Sequence, residues 1–214
     1  MGTTERRQRE KQARIDTIKE VASHLFATKG YANTTTEDIA GAAELSVGTI
    51  YRFFRSKEEL YYSLLEPYYE EYLERFSKIV ENDKERADKS LKKLLDLMEK
   101  AYSENPEAFR LVIYYRAKEI NNSFSQEKLD RLTGLMRGYL DAFEKIIARG
   151  VGQGIFRPVN PRAISGVIWS VILGIFQLEE NRAYAGRESL LKPMLRDGLD
   201  TLLNGLREGE KTSS

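Results

Sequence analysis

Apolar residues recur at three- and four-residue intervals along nearly the whole chain, and no segment alternates with the two-residue period of a strand. Ile15, Ile18, Val21, Ala22, Leu25 and Phe26 mark one face of a first helix, with Gly30 placed to end it. Thr35 is a candidate N-cap, and Asp38 three residues on completes a capping box for a short second helix carrying Ile39, Ala40 and Ala43. Ser46 offers another N-cap, for a third helix over 47–54 with Val47, Ile50 and Phe54 turned inward. Ser56 opens a long fourth helix through Leu60, Leu64, Leu65, Tyr68, Tyr72, Phe76, Ile79 and Val80, which Pro67 is expected to kink near Leu64.

The same period continues to the end. Leu91, Leu94, Leu95, Met98 and Tyr102 predict a fifth helix. Asn105 and Pro106 supply an N-cap and an N1 proline for the next, through Phe109, Val112, Ile113 and Ile120. Ser125 opens a helix through Leu129, Leu132, Met136, Tyr139, Phe143 and Ile147 that runs toward Gly150, Gly152 and Gly154. Pro161 precedes the most apolar stretch, Ala163 to Leu178, and the last helix carries Leu191, Met194, Leu195, Leu199, Leu202 and Leu206. The pattern predicts an all-α chain of about nine helices with short connections. It divides into a three-helix domain over 1–56, with a basic arm at 1–12, and a larger helical domain over 57–214.

Charge changes this picture locally. The whole chain is almost neutral, 34 basic against 33 acidic side chains, yet residues 1–57 hold ten basic and seven acidic groups, and Leu45 to Lys57 hold three cations and no acid. Cysteine is absent and His24 is the one histidine, which excludes disulfides, thiol nucleophiles and clustered Cys or His metal sites. No nucleophile elbow, P-loop or dinucleotide fingerprint occurs, and Gly150-x-Gly152-x-Gly154 follows a helix where a phosphate cradle would follow a strand. No catalytic residue, metal ligand or cofactor is therefore assigned, and His24 is read as an ordinary residue of the first helix. The charged start of the chain shows no signal peptide. The 16 residues from Ala163 to Leu178 are interrupted by Ser165, Gly166, Ser170, Gly174 and Gln177. They fall short of the roughly 20 apolar residues of a membrane span. A cytoplasmic location is expected, with no membrane partner.

The informative segment is 35–54: two short helices separated by a three-residue turn, the second beginning at Ser46. Spacing alone fits either a helix-turn-helix or an ordinary αα corner. Ala40 and Ala43 permit close crossing, while Ser46, Gly48, Thr49, Tyr51, Arg52 and Phe53, followed by Arg55 and Lys57, are left as outer surface. Hydroxyls, amides and cations of this kind hold phosphates, and a glycine allows close approach to a base edge. The run Ile15, Ala22, Leu25-Phe26, Gly30-Tyr31, Thr34-Thr35, Ile39-Ala40, Ala43, Leu45-Ser46-x-Gly48-Thr49-Ile50-Tyr51, Phe54, Ser56-Lys57-Glu58, Leu60 resembles the N-terminal domain of TetR/AcrR-family transcriptional regulators over about residues 10–62. Two positions depart from the family pattern: Glu44 replaces a common turn glycine, and Phe53 replaces a His or Tyr that often touches phosphate.

The resemblance implies a homodimeric repressor whose two third helices enter successive major grooves of a pseudo-palindromic double-stranded operator. Thr35, Ser46, Tyr51 and Lys57 would then hold the DNA, mostly through phosphates, and Val47, Gly48 and Thr49 would face base edges. Arg52 can do either, and Arg6, Arg7 and Arg9 of the arm are further candidates. It also implies an effector domain enclosing a small, mainly hydrophobic ligand, for which Tyr68, Tyr72, Met98, Tyr102, Phe109, Ile113, Tyr139, Phe143 and Trp169 are the candidate walls. Aromatic residues at helical spacing are more often core than pocket, so a DNA-bound adaptor for a protein partner, with a solid core, is the alternative. The dimer is expected through the last two helices, from the all-round apolar character of 163–178 and the leucine stripe at 191, 195, 199, 202 and 206.

Overall fold

The computed structural model describes residues 3–107, 109 and 125–207. Among these lie eight helices: α1 (Thr3–Lys29), α2 (Thr36–Ala42), α3 (Val47–Phe53), α4 (Lys57–Val80), α5 (Ala87–Glu104), α6 (Gln126–Gly152), α7 (Pro161–Tyr184) and α8 (Leu191–Leu206). The described residues contain no strand, only one isolated antiparallel bridge between Phe156 and Arg207. The helix expected from Asn105 to Ile120 lies mostly outside the described residues, and Ile113 with it. Its start is helical at Pro106, Glu107 and Phe109.

Capping sets the boundaries where the polar pattern placed them. The Thr35 hydroxyl accepts from the Asp38 N–H at 3.0 Å while the Thr35 N–H donates to the Asp38 carboxylate at 2.9 Å, a reciprocal capping box. Those hydrogen bonds from Thr35, with Lys29 nearby, hold the Asp38 carboxyl below its ordinary pKa. Ser46 caps α3 through the Thr49 N–H, and Ser56 accepts from the Glu59 N–H in the first turn of α4. Gly30 ends α1 with φ at +81°. The third helix stops at Phe53, one residue short of the expected end, because Phe54 is extended; its side chain is still buried. Helix α4 continues through Pro67.

Glu44, in the turn between α2 and α3, has φ at +55°. A Cβ in the left-handed region is crowded by the backbone, which is why a glycine suits that turn. Replacing Glu44 by Gly should raise stability by about 1 kcal/mol, read as a later urea midpoint at unchanged slope.

The described residues form two compact units, those within 1–70 and 105–132 and those within 71–104 and 133–214. In the first, α1 packs on α2 and α2 on α3 around Ile18, Ala22, Phe26, Ile39, Ala40 and Ile50. In the second, α8 packs on α7 and on α5. Phe156 lies 1% exposed, with its ring against Gly150. A Cβ at that glycine would come within 2.0 Å of the ring, so Gly150 makes room for Phe156.

Two expectations about surfaces change. The leucine stripe of the last helix does not face outward: Leu191, Leu195, Leu199, Leu203 and Leu206 are buried in their own unit, and Leu202 is only half-buried. The outward face of α8 carries Lys192, Arg196, Asp197 and Asp200 instead. Helix α7 is buried only along Ser165, Ile168, Ile172, Phe176 and Glu179, not all round. Its other face exposes Val167 by 49%, Val171 by 37% and Leu178 by 55%. By length and composition α7 could cross a membrane, with 22% of its apolar window buried within the chain.

Candidate nucleic-acid interface

The crossing of α2 and α3 buries Ile39, Ala40 and Ile50, and this turns the opposite side of α3 to solvent. Gly48 is exposed, and a Cβ there would meet nothing nearer than the Ser46 hydroxyl at 3.9 Å. Tyr51 is 50% exposed and Arg52 is exposed beside it, with its guanidinium stacked over the Phe53 ring at 5.1 Å. Ser46 and Thr49 share a hydroxyl–hydroxyl hydrogen bond of 2.9 Å, so the N-cap also orients the Thr49 side chain. Val47 and Thr49 are half-buried. Helix α3 thus brings Ser46, Gly48, Thr49, Tyr51 and Arg52 together on one accessible surface, with Thr35 exposed at the start of α2.

Lys57 has a structural role that the sequence pattern did not reveal. Its ammonium donates to the carbonyl oxygens of Tyr31 at 3.0 Å and Thr34 at 2.9 Å and sits 4.2 Å from the centre of the Tyr31 ring. It therefore ties the start of α4 to the turn after α1. Tyr31 in turn donates its hydroxyl to Glu58 at 2.8 Å. Burial alone would raise the Glu58 carboxyl, but hydrogen bonds from its own backbone, Ser56 and Tyr31, with Lys57 adjacent, hold it below the ordinary value. An ammonium has three donors. Two are used on these carbonyls, and the ammonium also faces the Tyr31 ring.

The candidate effector residues fall in both units. Tyr68, half-buried, and Phe109, buried, belong to the first. In the second, Tyr139 and Phe143 of α6 lie 5.9 and 6.3 Å from Trp169 of α7, ring centre to ring centre. Phe76 of α4, not among the expected wall residues, stacks edgewise on Tyr139 at 4.9 Å and on Phe143 at 6.0 Å. Met98 and Tyr72 are buried, and Tyr102 packs on Phe176 at 5.6 Å. Burial raises the Tyr139 hydroxyl well above its ordinary pKa. The described residues contain no group of three or more His, Cys, Asp or Glu able to hold a metal.

Both the N-terminal and the C-terminal part of the chain match known proteins. The family model for bacterial regulatory proteins of the tetR family matches residues 18–64, and that for the tetracyclin repressor-like C-terminal domain matches residues 88–199. The uncharacterized HTH-type transcriptional regulator YfiR of Bacillus subtilis (strain 168) is 27% identical over 158 residues, covering 72% of this chain and 73% of that protein. The HTH-type transcriptional repressor KstR2 of Mycolicibacterium smegmatis (strain ATCC 700084 / mc(2)155) is 25% identical over 146 residues, covering 68% of this chain and 69% of its own. The solved structure of AibR in complex with isovaleryl coenzyme A and operator DNA superposes with a TM-score of 0.74 at 17% identity, covering 89% of this chain and 98% of that one. With a three-helix reading head and a C-terminal helical domain each matched by its own model, this chain belongs to the TetR family of DNA-binding transcriptional regulators.

Proposed function

We propose that this chain is a homodimeric repressor that holds a pseudo-palindromic operator and leaves it when a small, mainly hydrophobic ligand binds. The observation that carries the reading is the outer face of α3, where Gly48, Tyr51 and Arg52 stand exposed on a helix whose other side is core. Residues 1–56 serve as the DNA-binding domain and 57–214 as the effector and dimerisation domain. Thr35, Tyr51 and Lys57 hold phosphates, Ser46 positions Thr49, and Val47, Gly48 and Thr49 meet base edges, with Arg52 at either. The dimer forms through the last two helices, chiefly the exposed apolar face of α7. That use accounts for its membrane-like composition, and the protein works in the cytoplasm, where its DNA lies.

The wall residues Tyr72, Met98, Tyr102, Tyr139, Phe143 and Trp169, with Phe76 added, favour an effector that presents an apolar group to them. AibR, a protein of the same fold, holds isovaleryl coenzyme A. A short acyl thioester is accordingly the first effector to try. Such a ligand releases DNA only by binding the DNA-incompetent arrangement more tightly, with a coupling of about 1–3 kcal/mol. The stacking of Phe76, Tyr139 and Phe143 on one another is also what a solid core shows, and this favours the adaptor for a protein partner as the second reading.

Electrophoretic shift of a duplex selected by the protein from a random-sequence pool tests both. Tyr51→Ala should weaken binding to every selected sequence, while Thr49→Val should change which sequences are selected. Isovaleryl coenzyme A and longer acyl thioesters should lower operator affinity by roughly 5- to 150-fold. Selection of no duplex contradicts the repressor. Operator binding unmoved by any thioester that calorimetry shows to be bound favours the adaptor.

A further inference from the structure

We propose that the first turns of α1 and the end of α3 form a cleft that grips the DNA backbone beside the groove read by α3. This rests on the DNA-binding reading and adds to it a set of residues outside the helix-turn-helix. Ile18 and Ala22 are fully buried on the core face of α1. Continued toward the N-terminus, that face passes Arg14, Lys11 and Arg7, at the i, i+4 and i+7 positions of a helix that starts at Thr3. The segment expected from the sequence as a separate basic arm is thus an overhang of α1. Residues 3–14 extend it by about 18 Å.

Arg7, Glu10, Lys11 and Arg14 line one side of a hollow of about 370 Å³, and Arg52 and Phe53 at the end of α3 line the other. Glu10, the single acid there, is neutralised by Arg6 at 2.8 Å. Arg7, Lys11, Arg14 and Arg52 form no ion pair among the described residues, and Arg52 is instead spread over the Phe53 ring. Cations gathered without counter-charge raise one another's energy, and an anion entering between them removes that cost. The anion is a nucleic-acid backbone, not an acidic peptide, because one wall of the hollow is the end of the reading helix itself. A duplex engaged by α3 brings its own phosphates to that wall. From Arg7 to Arg14 the helix axis advances about 10 Å. Phosphates of one strand advance about 3.4 Å per nucleotide along the duplex, so the row of cations spans roughly three of them. Of the arm cations singled out by sequence, Arg7 lines the cleft, and Arg6 serves it by holding Glu10.

The test is the salt dependence of binding to the duplex that the wild-type protein selects from a random-sequence pool. The triple variant Arg7→Gln, Lys11→Gln, Arg14→Gln should keep the selected base sequence. It should lower the slope of log affinity against log salt by between about two and about five, one to three phosphates in each of two subunits, and weaken binding about tenfold or more at physiological salt. An unchanged slope, or a change of base preference in place of slope, overturns the cleft while the DNA-binding reading stands. Failure of the wild-type protein to select any duplex overturns that reading first. The replaced side chains are exposed, so the thermal midpoint should not move. If it does, the single variants Arg7→Gln and Arg14→Gln decide, each with an expected slope change of up to about two, one phosphate in each of two subunits, and no change in either overturns the cleft.

Discussion

Glutamate in place of Val171 and Leu178 should leave the chain folded but monomeric, and should abolish tight binding to a two-half-site operator. Both side chains lie on the outward face of α7, 37% and 55% exposed, in line with Val167 and with Gly174, where a Cβ would meet open space. Charges at these positions cost the isolated chain little, because water reaches them. In a dimer closed over that face each unpaired carboxylate loses its hydration, at a cost of several kcal/mol, on the order of 2–7 for a polar group and more for a charge. Half-sites about 34–36 Å apart need both subunits, so a monomer keeps only the weak grip of one reading helix. Sedimentation analysis checks the mass and circular dichroism the fold. A stable dimer of the double variant contradicts α7 as the dimer surface. The same substitution at Leu195 is the informative contrast. That residue is 4% exposed within its own unit, so Leu195→Glu should unfold the domain and not merely split a dimer.

Lys57→Met should weaken both the fold and the grip on DNA, a combination one residue seldom controls. The variant strands the carbonyl oxygens of Tyr31 and Thr34 and removes the cation from the Tyr31 ring, interactions now at 3.0, 2.9 and 4.2 Å. A hydrogen bond from a charged donor contributes about 1.5–3 kcal/mol, and partial exposure here argues for the lower end. An earlier urea midpoint should show it. If the third ammonium proton holds a phosphate, the salt dependence of operator binding should also flatten by about one for each phosphate that Lys57 neutralises, across all sequences alike. A fall in stability with an unchanged slope would make Lys57 a purely structural tie.

Much of the reading head was legible in the sequence because its signals are local. Thr35 with Asp38, Ser46 with Thr49, and Gly30 act within four residues of themselves, so their spacing states their hydrogen bonds before any fold exists. Glu44 was visible as a departure from a family pattern, and its φ of +55° shows what the common glycine is for. The second role of Lys57 was not visible, since Tyr31 and Thr34 lie 26 and 23 residues away and no period connects them.

For the rest, periodicity determined which residues share a helix face, and only tertiary packing decided what that face meets. The leucines of α8 and the apolar residues of α7 carry the same signal in sequence, yet the former are buried against their own unit and Val167, Val171 and Leu178 are not. On α1 one face holds Ile18 and Ala22 in the core and Arg7, Lys11 and Arg14 beyond it, because the helix outruns the short helix α2 that it packs on. A sequence states the hydrophobicity of a position directly. Whether water, the same chain or another molecule covers it depends on where distant elements end, and that is a property of the assembled structure.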